Sequence, residues 1–174
     1  MIQEDIRVRS LYLFLASSRL VEEVKDHLAA TFTAQSLSAR LQLDRVLRRE
    51  LGMLFRYWIT RQIWNLLEAR EEDAKTLNVA ILRLFTEGFR LPRDGSGLRY
   101  AELSTPVEEV QELMHRLTNA LEMTHQPMLE ALQAGILPWR DAIMRHTDDA
   151  LELPLEELTV KVKEWAEQTP NTHT

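Results

Sequence analysis

The sequence predicts an all-α protein, a single-domain bundle of five or six helices with two long N-terminal helices, and three observations carry that reading. Apolar residues recur at three- and four-residue spacing, as in Ile6, Leu13, Leu20, Val24 and Leu28, which is the period of one helix face. Strict period-two alternation between turn signals, the mark of a half-buried strand, appears nowhere. Chain breakers are scarce: no proline precedes Pro92, and Gly52 and Gly88 are the only glycines before Gly95. The elements must therefore be few and long.

The first helix is expected over residues 3–30 and the second over 36–70, with Ser36 as cap, a break allowed at Gly52 and an apolar stripe of Leu37, Leu41, Leu47, Leu51, Leu54 and Trp58. A third follows over 73–90 on Leu77, Ile81, Leu84 and Phe85. Leu91-Pro92-Arg93-Asp94-Gly95-Ser96-Gly97 opens a loop, because proline presets one turn dihedral and Gly95 supplies a positive φ. That loop, 91–104, divides an N-terminal three-helix part from a C-terminal part. Gly95-Ser96-Gly97 follows a helix and lacks the lysine of a phosphate-binding loop, so it is read as a turn.

Helix four has the clearest start. With Thr105 as N-cap, Pro106 falls at the first helical position and Glu108 at the third, a capping box. Its stripe is Val107, Val110, Met114, Leu117 and Leu121, and Pro127 either ends or kinks it. Gly135 reads as a helix terminator, with Pro138 and Pro154 opening short helices over 138–151 and 154–168. Residues 169–174 are expected to form a flexible tail beyond the 1–168 domain.

Composition narrows the function classes. A chain of 174 residues, 45% hydrophobic and 28% charged, buries one core without staples. Its lack of cysteine removes disulfides, thiolate metal sites and cysteine nucleophiles. Leu11 to Ala16 is too short and too neutrally led for a signal segment. The most apolar window, Leu51 to Leu67, contains Arg56, Arg61, Gln62 and Asn65, so it is no membrane span. A soluble cytoplasmic protein without membrane partners is the default expectation. Residues 1–100 hold 16 Lys and Arg against 13 Asp and Glu, whereas 101–174 hold 5 against 14. Such a split can steer a partner or favour antiparallel self-association, although an acidic solvated face explains it as simply.

No catalytic residue can be assigned and no cofactor is expected. There is no nucleophile elbow, and the acid pairs Glu22/Glu23, Glu108/Glu109, Asp148/Asp149 and Glu156/Glu157 are adjacent in sequence, so their side chains diverge by about 100° on a helix. Glu112-Leu-Met-His115 and Glu122-Met-Thr-His125 carry the E-x-x-H spacing that di-iron bundles use, which makes Glu112, His115, Glu122 and His125 the metal alternative. Both pairs lie on one helix, however, and all but His125 point toward solvent on a helical wheel. His27, His125 and His146 each adjoin an apolar stripe and are read as separate histidines unless the fold brings them together.

Helix two is the most informative stretch. Over 36–70 it carries seven arginines against three acids, interleaved with Phe55, Tyr57, Trp58 and Trp64. From Met53 to Leu67 it is apolar nearly all round, as in an enclosed helix. Three readings follow. Its arginines pair with the acidic later helices; or its aromatic surface is a protein interface, since Trp, Tyr, Phe and Arg populate hot spots; or Arg45, Arg49, Arg56 and Trp58 form a nucleic-acid groove, phosphates on arginine and bases on the ring. The expected function is a non-catalytic protein–protein interaction module, an adaptor, chaperone-like or regulatory subunit. It forms a homo-oligomer or joins a larger assembly, with Leu11, Phe14, Leu15, Phe55, Tyr57, Trp58 and Trp64 as contact candidates. A nucleic-acid-binding subunit and a metal-dependent bundle enzyme are the alternatives.

Overall fold

The long breaker-free stretches become long helices. A computed structural model describes residues 1–29, 37–121 and 126–168. These form α1 (Gln3–Ala29), α2 (Leu37–Leu66), α3 (Glu71–Gly88), a 3-10 helix (Ser96–Glu102), α4 (Pro106–Leu121), α5 (Gln126–Glu152) and α6 (Leu155–Gln168), with no strand among the described residues. The chain is an all-α bundle. Ser36, Glu122, His125 and the 169–174 tail lie outside the described residues.

Two helices form the centre. α1 packs against α2, α3, α5 and α6, while α2 packs against α1, α3, α4, α5 and the 3-10 helix. Burial follows from those neighbours. Tyr12, Leu13, Leu15, Ala16 and Ser17 are buried in near succession on α1, as are Leu51 to Phe55 on α2. Enclosure expected of α2 alone is thus shared by α1, and one apolar cluster runs from Val8 to Leu158.

Gly52 does not break α2. It is the point where the Phe89 ring rests on the helix backbone, and a Cβ there would sit 2.6 Å from that ring. α2 ends at Leu66, not near residue 70, and Arg70 N–H donates to the Leu67 carbonyl at 2.8 Å in the turn that follows. Glu71, Glu72 and Asp73 then occupy the first turn of α3, where negative charge complements the helix dipole. Leu41 of the expected α2 stripe is exposed, while Leu43 and Val46 turn into the core.

The 91–104 segment is more than a loop. Gly95 takes φ 78° ahead of the 3-10 helix, and Tyr100 of that helix is fully buried with its ring centroid 6.1 Å from Tyr57. At the start of α4, Glu108 N–H donates to Thr105 Oγ1 at 3.2 Å and the Thr105 hydroxyl donates to the Glu108 carboxylate at 3.1 Å. The buried stripe of α4 is Glu109, Val110, Leu113 and Leu117, so the expected stripe is out of phase at Val107, which faces outward.

The expected division at Gly135 and Pro138 does not occur, because α5 runs through both. Leu132, Ile136, Trp139, Ile143 and Ala150 form one continuous buried seam across the proline. Packing along that seam outweighs the amide bond that proline removes. Pro127 stands in the first turn of α5, where its missing N–H would have had no helical partner.

Candidate interaction surface

The outward surface of α2 is set by which neighbours cover it. Gly52 faces α3 through Phe89. Nine residues further on, at 100° per residue, Arg61 faces the opposite way. There it pairs with Glu109 of α4, a carboxylate only 1% exposed, while its Cζ lies 5.0 Å from the Tyr57 ring centroid. On the α5 side, Gln62 Nε2 donates to Asp148 at 2.9 Å, and Arg140 Cζ lies 6.0 Å from the Trp58 ring centroid. Burial pushes the Arg61 guanidinium below its ordinary value; Tyr57 opposes this and the charge of Arg140 reinforces it.

Glu109 sits in the first turn of α4. Beyond the level of Arg61, only the first three residues of α4, Pro106 to Glu108, remain beside α2. Trp64, Asn65 and Glu68 are exposed there, and so is Val107 at the start of α4. Tyr57, Arg61 and Trp64 stand at i, i+4 and i+7, one face of the helix. The end of α2 and the start of α4 thus form a rim carrying two aromatic rings, an arginine anchored by a buried carboxylate, and an exposed valine.

The contact candidates read from sequence divide on this structure. Tyr57 is half-buried and Trp64 is 37% exposed, and both belong to the rim. Phe55 and Trp58 do not: both are 0% exposed and stack on each other in the core at 5.8 Å. An outward Phe55 and Trp58 is corrected on that ground: this turn of α2 lies in the core, with Arg140 of α5 over the Trp58 ring. Leu15 is buried, and Leu11 and Phe14 are half-buried; Phe14 packs on Phe85 at 5.7 Å and on Phe89 at 5.2 Å.

Arg45, Arg49, Arg56 and Trp58 are not brought together as a groove. Arg45 is exposed, and Arg49 Nε donates to Glu50 at 3.2 Å. Arg56 is largely covered, its Nε lacks a hydrogen-bond partner among the described residues, and burial pushes its pKa down against a smaller opposing effect of Tyr57. The buried Trp58 ring offers no face to a base. On α4, Glu112 is not solvated as expected but largely covered, 3.9 Å from Arg99, whereas His115 is exposed and pairs with Asn119 at 3.2 Å. Among the described residues no group of three His, Asp or Glu side chains could hold a metal ion. His27 meets the edge of Trp139 at 5.6 Å, while His146 lies against Tyr12 and Trp165.

Sequence reasoning missed the charges that the fold buries. Glu50 accepts from Arg49 Nε and, at 2.6 Å, from Arg116 Nε. The available signal was spacing: Glu50 lies between Leu47 and Leu54, and Glu109 one residue from Val110 on the buried side of α4. An open depression of about 640 Å³ on α5 is lined by Pro138, Asp141, Met144, Arg145 and Asp148, with neither a nucleophile–base pair nor a metal set among them. No protein-family model, curated protein or solved structure matches the chain. No helix of the described residues is long and apolar enough to cross a membrane.

Proposed function

We propose that the chain is a non-catalytic helical interaction module, an adaptor, chaperone-like or regulatory subunit of the cytoplasm that self-associates through the rim at the end of α2. The observation that supports this reading is the exposure of Trp64 on a helix whose Trp58 is wholly buried. A large aromatic beside Tyr57 and an anchored Arg61 is the composition of a binding hot spot. Such a patch engages a second copy of itself about a two-fold axis, and the opposite charge balance of the two halves of the chain favours an antiparallel pairing.

The test is light scattering on the full chain and on Trp64→Glu. Trp64 is chosen over Arg61 because loss of Arg61 would leave the buried Glu109 uncompensated and unfold the protein. The expected result is a dimer or larger species for the parent chain and a monomer with unchanged helical circular dichroism for the variant. A monomeric parent chain, or an oligomer indifferent to Trp64→Glu, contradicts the proposal.

A further inference from the structure

α6 is fastened to the bundle at two places of different chemistry. At its start Leu158 is fully buried, and Arg9 Nη1 donates to the carbonyls of Ala150 at 2.7 Å and Leu153 at 3.1 Å, at the corner between α5 and α6. Toward its end Trp165 lies nearly flat on Tyr12 of α1, centroids 5.0 Å apart and planes at 25°. His146 of α5 meets both rings edge-on, at 6.0 Å and 89° to Trp165 and at 6.1 Å and 70° to Tyr12. Its Nδ1 is 3.4 Å from the Tyr12 hydroxyl. Arg19 Cζ stands 5.1 Å from the Trp165 ring centroid, and its Nη1 donates to Gln168 Oε1 at 3.1 Å. Most other side chains on the second half of α6 are exposed, so this aromatic cluster is the main attachment of that half.

The cluster suits a neutral imidazole. The charged and titratable groups around His146 are Tyr12 and Arg19 from α1, Arg145 and Asp149 from α5, and Lys161 from α6. Three of these are cations and only Asp149 is an anion. A proton added to His146 would bury positive charge between two rings in an already cationic setting.

We propose that His146 is a pH-sensitive latch: neutral, it seats Trp165 on Tyr12 and holds the second half of α6 against α1; protonated, it releases that half and uncovers Tyr12. The direction of its titration agrees. Burial pushes the imidazole below its ordinary value; Asp149 opposes the shift, and Arg145, Lys161 and Arg19 add to it. The docked state therefore binds the proton less readily than the released one. Docking is at full strength above the ordinary histidine pKa of about 6.5 and weakens as pH falls below it. The latch is independent of the rim on α2.

Hydrogen exchange of the full chain, read by mass spectrometry and corrected for the intrinsic pH dependence of exchange, tests this. Between about pH 7.5 and pH 5.5, protection over residues 159–168 should be lost to a greater extent than over α3, because the released half binds the His146 proton more readily than the docked one. His146→Asn, which keeps a polar atom near Tyr12 but does not titrate, should abolish that excess. An equal fall in α3 and α6, or the same excess in the variant, overturns the latch. Should the variant not fold, proton NMR of the parent chain decides: the His146 ring proton and the Trp165 indole N–H should move with one shared midpoint. A Trp165 signal unmoved while His146 titrates overturns it equally.

Discussion

At the scale of single residues, the features that most constrain this molecule are charges placed inside it. Glu50 is 3% exposed and lies between Arg49 and Arg116. Burial alone would lower the pKa of Arg116, yet its hydrogen bond and charge pairing with Glu50, aided by Tyr100 and Glu112, raise it. Removing the carboxylate leaves Arg116 in a covered site without that counter-charge. Glu50→Ala should therefore cost about 3–5 kcal/mol, seen as a lower urea midpoint at unchanged slope, and Glu50→Gln, which retains an acceptor, should cost less. A loss within about 0.5 kcal/mol for the alanine variant, typical of a surface site, would show that the pair is solvated. Composition made the arginine-rich character of α2 legible, and the expected pairing with later acidic helices is realised in Arg61 and Glu109. Spacing places Glu50 and Glu109 beside apolar positions, but spacing alone does not decide which acids turn inward, because a glutamate beside a leucine reads the same whether a partner helix arrives or not.

Elements were legible where the local chemistry is decisive. Thr105, Pro106 and Glu108 place the start of α4 to the residue, and the stripes of α1 and α3 place those helices within a few residues of their observed ends. Local rules fail at Pro138, where proline chemistry says stop and the buried seam from Leu132 to Ala150 says continue. The seam wins because it is a property of α5 together with α1 and α2, which no window of the sequence contains. Pro138 itself is exposed, so replacing it removes little packing and restores an amide donor to the helix. Pro138→Ala should raise stability by about 1–3 kcal/mol, part of the roughly 3 kcal/mol that an interior proline costs. A destabilised variant would mean that α5 depends on its proline. The phase error at Val107 has the same origin, since Glu109, on the buried face of α4, turns inward to meet Arg61.

At the scale of the whole molecule, the sequence predicts the bundle and its two central helices, while its outward face had to await the packing. Phe55, Tyr57, Trp58 and Trp64 are indistinguishable as aromatic residues on one helix; the arrival of α5 on one side and the start of α4 at Pro106 sort them into core and rim. The central claim is that this rim is where two copies meet. The absence of cysteine makes a direct measurement simple, because a single introduced thiol is the only one to be labelled. Nitroxide labels at Asn65→Cys, beside Trp64 on the rim, and at Arg83→Cys, exposed on α3, should be compared by pulsed dipolar electron resonance. A shared two-fold interface at the rim predicts a resolved intermolecular distance from position 65 and a longer or undetectable one from position 83. No intermolecular coupling at position 65, or a shorter distance from position 83, would contradict the account.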